Sequence, residues 1–128
     1  AVITSIPGKP PELYRLAMIR AKICETAARA AGFESPDKHF TVGMFSVLDA
    51  LTDMPMEEVI KELPLSNDVI EALSNSKAQN NCSETLHYVL NVERGQWSEA
   101  EVALKSVPQS TFTDAVQWAR EQESSLAA

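Results

Sequence analysis

The sequence predicts an all-α fold, one compact bundle of about seven helices. Three observations carry this. Period-two alternation is absent and β-branched runs are short, so no strand is expected. Apolar residues recur instead at helical spacing, punctuated by Ser, Asp, Pro and Gly where helices start and stop. Finally, Phe40, Val42, Met44, Phe45, Val47, Leu48 and Leu51 crowd a stretch whose one charge is Asp49. A segment apolar on nearly every side predicts a central helix buried by its neighbours.

Each element has its own warrant. Pro7, Gly8, Pro10 and Pro11 make residues 1–11 a non-helical lead-in. Leu13, Leu16, Ala17, Ile23, Cys24, Ala27, Ala28 and Ala31 predict a helix from about Glu12 to Ala31, and Gly32 stops it. In Ser35-Pro36-Asp37, Ser caps, Pro fits the first turn and Asp meets the positive helix end. The helix so begun is expected to carry the apolar stretch to Thr52. Pro55 opens Met56 to Leu63, which Pro64 closes, and Ser66 caps Asn67 to Leu73. Ser74 to Asn81 reads as a loop. Ser83 is expected to cap a helix through Glu93, with Leu86, Val89 and Leu90 inward and Gly95 as terminator. Ser98-Glu99-Ala100-Glu101 is a capping box for a short helix to Val107, broken by Pro108. Thr111-Phe112-Thr113-Asp114 starts the last helix, to Ser124, and residues 125–128 are expected to fray. No fixed-period repeat is present.

At 128 residues the chain is one domain, long enough to bury a core without a disulfide or metal staple. Its 18 acidic and 11 basic residues give a formal net charge of −7 and no basic cluster, which disfavours a nucleic-acid partner. No apolar run reaches the roughly 18 residues of a membrane span, and no signal peptide is visible. Cys24 and Cys82 do not form a secreted disulfide framework. Both are read as reduced and the protein as cytoplasmic, with a disulfide between them as the alternative. The opening AVITSIPGKPP without an initiating Met suggests a piece of a longer protein.

Few residues suggest chemistry, and no catalytic residue, metal site or cofactor is assigned. The histidines His39 and His87 lie far apart, and neither precedes an Asp. A metal site from His39, Asp49, Asp53 and His87 has no spacing to support it. His39 in the first turn of its helix and His87 on a partly exposed face is the plainer reading. No nucleophile elbow or Gly-rich phosphate loop occurs among four isolated glycines. Arg20 lies close to the apolar face of the first helix and is expected to reach Asp49 or Asp53 as a structural ion pair; the alternative leaves these charges solvated at the rim. Trp97 and Trp118 are either partner anchors or packing residues. Met54 and Met56 beside Glu57 and Glu58 form an adaptable docking surface, to which Trp97 is added.

Several segments together carry a family resemblance. They are Glu12-Leu13-Tyr14-Arg15-Leu16-Ala17-Met18-Ile19-Arg20-Ala21-Lys22 with Cys24-Glu25, the run Phe40 to Leu51, Met54-Pro55-Met56-Glu57-Glu58-Val59, and Leu63-Pro64-Leu65-Ser66. These resemble the HDOD domain, the HD-related output domain, in the branch found C-terminal to EAL-type domains of bacterial cyclic di-GMP signalling proteins. The resemblance covers about the first two thirds of the chain; Val92 to Trp97 fits more loosely. It implies an all-α relative of HD phosphohydrolases without their metal ligands. Where the parent superfamily follows an aliphatic-Gly run with His-Asp, Gly43-Met44-Phe45 leads here into Ser46-Val47. It also implies that the first helices of the domain and the EAL-type domain are not part of this sequence.

The leading expectation is therefore a non-enzymatic signalling and interaction module. It would pack against its upstream domain or another signalling protein and shift the population of an active state. A homodimer stays open, symmetric pairs being the commonest oligomers. The alternatives are a phosphohydrolase with an unorthodox site and a small-ligand, nucleotide-type sensor in a helical crevice.

Overall fold

The computed structural model describes residues 11–75, 77–96, 107 and 110–127, the last three by their backbone alone. Among them are seven helices and no strand: α1 Pro11–Ala31, α2 Pro36–Phe45, α3 Leu48–Thr52, α4 Met56–Ile60, α5 Asn67–Ser74, α6 Asn81–Glu93 and α7 Thr111–Ala127. The expected helix over 98–107 lies outside the described residues, save Val107.

The long α1 organises the rest. It begins at Pro11, whose missing N–H costs nothing in a first turn. Gly32, at φ 76°, ends it: Phe33 N–H reaches back to Ala28 O at 2.9 Å and Gly32 N–H to Arg29 O at 3.2 Å. Its buried face is mostly small, with Ala17, Ala21, Ala27 and Ala28 beside Ile23 and Cys24. Small side chains let α2 lie directly on α1, its principal packing partner. Gly43 marks the closest approach, since a Cβ there would stand 2.5 Å from Arg20 O and 2.7 Å from Ala21 Cα.

The main core joins Ile23, Cys24 and Ala27 of α1 to Val42, Val69 and Ala72, and to Cys82, Leu86, Val89 and Val92 of α6. A smaller cluster, Ala17, Val47 and Leu51, anchors α3 against α1, with Leu13, Leu16, Met44 and Leu48 around it. α7 lies along α1. There Trp118 meets Phe40 edge to face at 6.1 Å, and Lys22 Nζ sits 5.2 Å from the Trp118 ring centre. Trp118 thus serves as a packing residue.

Several features differ from the sequence reading. Helix α4 ends at Ile60, short of the expected Leu63, and Ser66 precedes α5 without capping it, its hydroxyl donating instead to Asp68 Oδ1 at 2.6 Å. The helix expected to run to Thr52 breaks at Ser46-Val47, because Ser46 Oγ donates to Gly43 O at 2.7 Å and competes with the helical ladder. This apolar stretch is not buried all round: Val42, Val47 and Leu51 are, Phe40, Met44 and Phe45 are half-buried, and Asp49 is exposed. Ser35 adopts a left-handed conformation, φ 54°, and its side chain caps nothing. Asn80, not Ser83, caps α6. Asn80 Oδ1 accepts from Ser83 N–H at 2.8 Å, and Ser83 Oγ accepts from Asn80 N–H at 2.9 Å, a reciprocal box that brings Cys82 into the helix and the core. Finally, α7 continues to Ala127, past the expected end at Ser124.

Candidate functional site

The break after α2 is where the polar chemistry gathers. Arg20 extends from α1 toward it. Its Nη1–H donates to Ser46 Oγ at 3.1 Å, while Nε–H and Nη2–H donate to the two oxygens of Glu93 at 2.8 and 2.9 Å. The carboxylate this guanidinium closes on is thus Glu93, at the end of α6, where the sequence pointed to Asp49 or Asp53. Asp49 instead stays exposed and accepts its neighbour Ala50 N–H at 2.9 Å, and Asp53, in a left-handed conformation at φ 57°, ends α3. The side chains of Arg20 and Glu93 are only 15% and 20% exposed, so this fork is better shielded from water than an ordinary surface pair. It ties α1, the α2–α3 break and the end of α6 together.

Glu93 was legible in part. It follows Val89 by four residues and Leu86 by seven, so it extends the apolar stripe of α6. A carboxylate on such a stripe needs a partner, but 73 residues separate it from Arg20.

Beside the fork opens a cleft of about 510 Å³. Arg20, Ser46 and Asp49 form one wall, and Leu86, His87 and Leu90 of α6 with Arg94 at its end form the other. Met56, Ala72, Leu73 and Ser74 complete the lining. Met56 of the expected docking surface therefore turns to the cleft, whereas Met54 is 45% exposed, the one openly exposed large apolar side chain among the described residues. Glu57 and Glu58 are exposed beside it, Glu58 Oε1 paired with Lys61 Nζ at 3.3 Å. Trp97 lies outside the described residues.

The four metal candidates do not converge. His87 and Asp49 line the cleft, Asp53 ends α3, and His39 is in the core. Among the described residues, no three His, Cys, Asp or Glu side chains meet as a metal-holding group. His39, 2% exposed, stacks on Phe33 with ring centres 5.7 Å apart. Its Nδ1 lies 2.8 Å from Thr85 Oγ1, whose own hydroxyl donates to Cys82 O, so Nδ1–H is the donor. Burial holds the His39 pKa below its ordinary value; Asp68 opposes this and Lys38 adds to it. Cys24 and Cys82 are free, buried thiols, pushed up to about 12 and about 11 chiefly by desolvation. Neither is a nucleophile at neutral pH.

No protein-family model matches the chain, and no solved structure does. Two curated proteins do match in part. Uncharacterized protein YuxH of Bacillus subtilis is 36% identical over 86 residues, 67% of this chain. Cyclic di-GMP phosphodiesterase CdgJ of Vibrio cholerae is 46% identical over 66 residues, 51% of this chain. The matched stretches are 20% of YuxH and 15% of CdgJ, so the chain spans a fifth or less of either relative. Among the described residues no helix is long and apolar enough to cross a membrane.

Proposed function

We propose that the chain is a non-enzymatic regulatory module of the HDOD type, acting in bacterial cyclic di-GMP signalling. The observation that carries this reading is Ser46-Val47. At the place where the resemblance expects His-Asp in a metal-dependent relative, Ser46 spends its hydroxyl on Arg20 and Gly43 O, and Val47 is buried in the core. The partial identity with CdgJ supports the signalling context. On this reading the module acts by docking, through Met54 and the neighbouring Glu57 and Glu58, on an EAL-type domain upstream or on another signalling protein. It works by binding one state of that partner better than the other.

The direct test is an assay of the purified chain with divalent metals against cyclic di-GMP and simple phosphate esters. No turnover is expected. Metal-dependent turnover would replace this reading with an enzyme, and turnover that survives replacement of His39, Asp49, Asp53 and His87 would place its site elsewhere.

A further inference from the structure

We propose that the cleft between α1, the α2–α3 break and α6 binds a small ligand that carries an oxyanion on an apolar body. The proposal goes beyond the regulatory reading and stands or falls without it, since a docking module needs no small ligand. At about 510 Å³ the cleft has ligand-site dimensions. Its lining is divided in the way such sites are, with Leu73, Leu86 and Leu90 as an apolar bed and a few polar groups at its edge.

Charge selects the ligand class. The chain as a whole holds 18 acidic against 11 basic residues, whereas the cleft lining holds Arg20 and Arg94 against Asp49, with Glu93 beside it committed to Arg20. Arg15, Arg20 and Arg29 are each ion-paired with a glutamate. Arg94 has no such partner among the described residues. Arg20 has its charge met by Glu93 and acts as a fixed wall, so Arg94 is the guanidinium with donors to give. A planar guanidinium with free donors suits a phosphate or carboxylate, which it can grip through two oxygens. His87 and Leu90 lie at i and i+3 on α6 and Arg94 follows at i+7 as its C-cap, and all three line the cleft, so the end of this helix presents an imidazole, the apolar bed and the guanidinium to it. An anion on Arg94 would direct its apolar body along Leu90 and Leu86 into the cleft.

The chain is titrated calorimetrically and by thermal shift with adenosine 5′-monophosphate, indole-3-acetate and neutral adenosine. The first two place a phosphate or a carboxylate on an aromatic body and so separate two sources of the oxyanion; the third removes it. At least one anionic probe should bind and raise the Tm, and adenosine should not. Arg94→Gln should weaken that binding by about tenfold or more, the loss of a charge-assisted hydrogen bond. Its ligand-free Tm should be unchanged, because Arg94 is exposed. Arg120→Gln, on an exposed position of α7 away from the cleft, should leave binding intact. The proposal is overturned if neither anionic probe binds at millimolar concentration, if adenosine binds as well, or if Arg94→Gln binds as tightly as the parent chain.

Discussion

Arg20 of α1 holds both Ser46 at the α2–α3 break and Glu93 at the end of α6. A guanidinium that is largely shielded and grips Glu93 with two parallel bonds lies between the surface and buried regimes of ion pairing. A double-mutant cycle of Arg20→Ala and Glu93→Gln should return a coupling of about 1–3 kcal/mol in chemical denaturation. Coupling near zero would mean that the fork is geometry without stability. Arg20→Ala alone should lower the Tm, since it leaves Glu93 shielded without its cation. His39 makes a second residue-scale prediction. Its folded pKa lies below the unfolded value of 6.5, so the unfolded chain binds the extra proton first. Its contribution is whole above that value and declines as pH falls through it toward the folded pKa. Denaturation midpoints measured between pH 7.5 and pH 5 should fall accordingly, and His39→Phe should flatten the part of the slope that His39 contributes. The sequence placed His39 at the start of a helix and Arg20 near an apolar face. It could not name Thr85 or Glu93 as their partners, because each contact joins residues far apart along the chain.

At the scale of elements, the junction of α1 and α2 is set by what is missing from residue 43. Any side chain there meets backbone rather than a yielding side chain, at Arg20 O, Arg20 C and Ala21 Cα. Gly43→Ala must therefore push the helices apart, at a cost of about 1–3 kcal/mol or more. The same shift would carry Ser46 away from Arg20, so urea denaturation should show a loss larger than helix propensity alone predicts for this substitution, which favours Ala. An unchanged or higher midpoint would mean that the interface yields freely. The helices themselves were legible wherever apolar spacing ran long, as in α1, α6 and α7. Two ends were not. The break at Ser46-Val47 joins a local contact, Ser46 Oγ turning to Gly43 O, with a distant one, Arg20 donating to that Oγ from α1, and the second is not written locally. The start of α6 moved to Asn81, capped by Asn80, because Cys82 belongs to the core, and a core position immediately before Ser83 pulls the helix back to include it.

For the molecule as a whole, Cys24 and Cys82 report on opening. Both are buried thiols raised well above neutral pH, one from α1 and one from the first turn of α6. A thiol reagent should label neither in the native protein and both together as the main core opens. Rapid labelling of Cys82 alone would show that the start of α6 detaches from the bundle independently. What the sequence by itself determined was the fold class and most helix limits, because apolar periodicity and cap residues act over a few residues and are written locally. Only the tertiary structure decided that Glu93 answers Arg20, that Met56 turns inward while Met54 stays exposed, and that a cleft edged by Arg94 opens beside the fork. Those features arise where α1, the α2–α3 break and α6 meet, and such meetings depend on how small side chains and one glycine let helices approach, which no local pattern encodes.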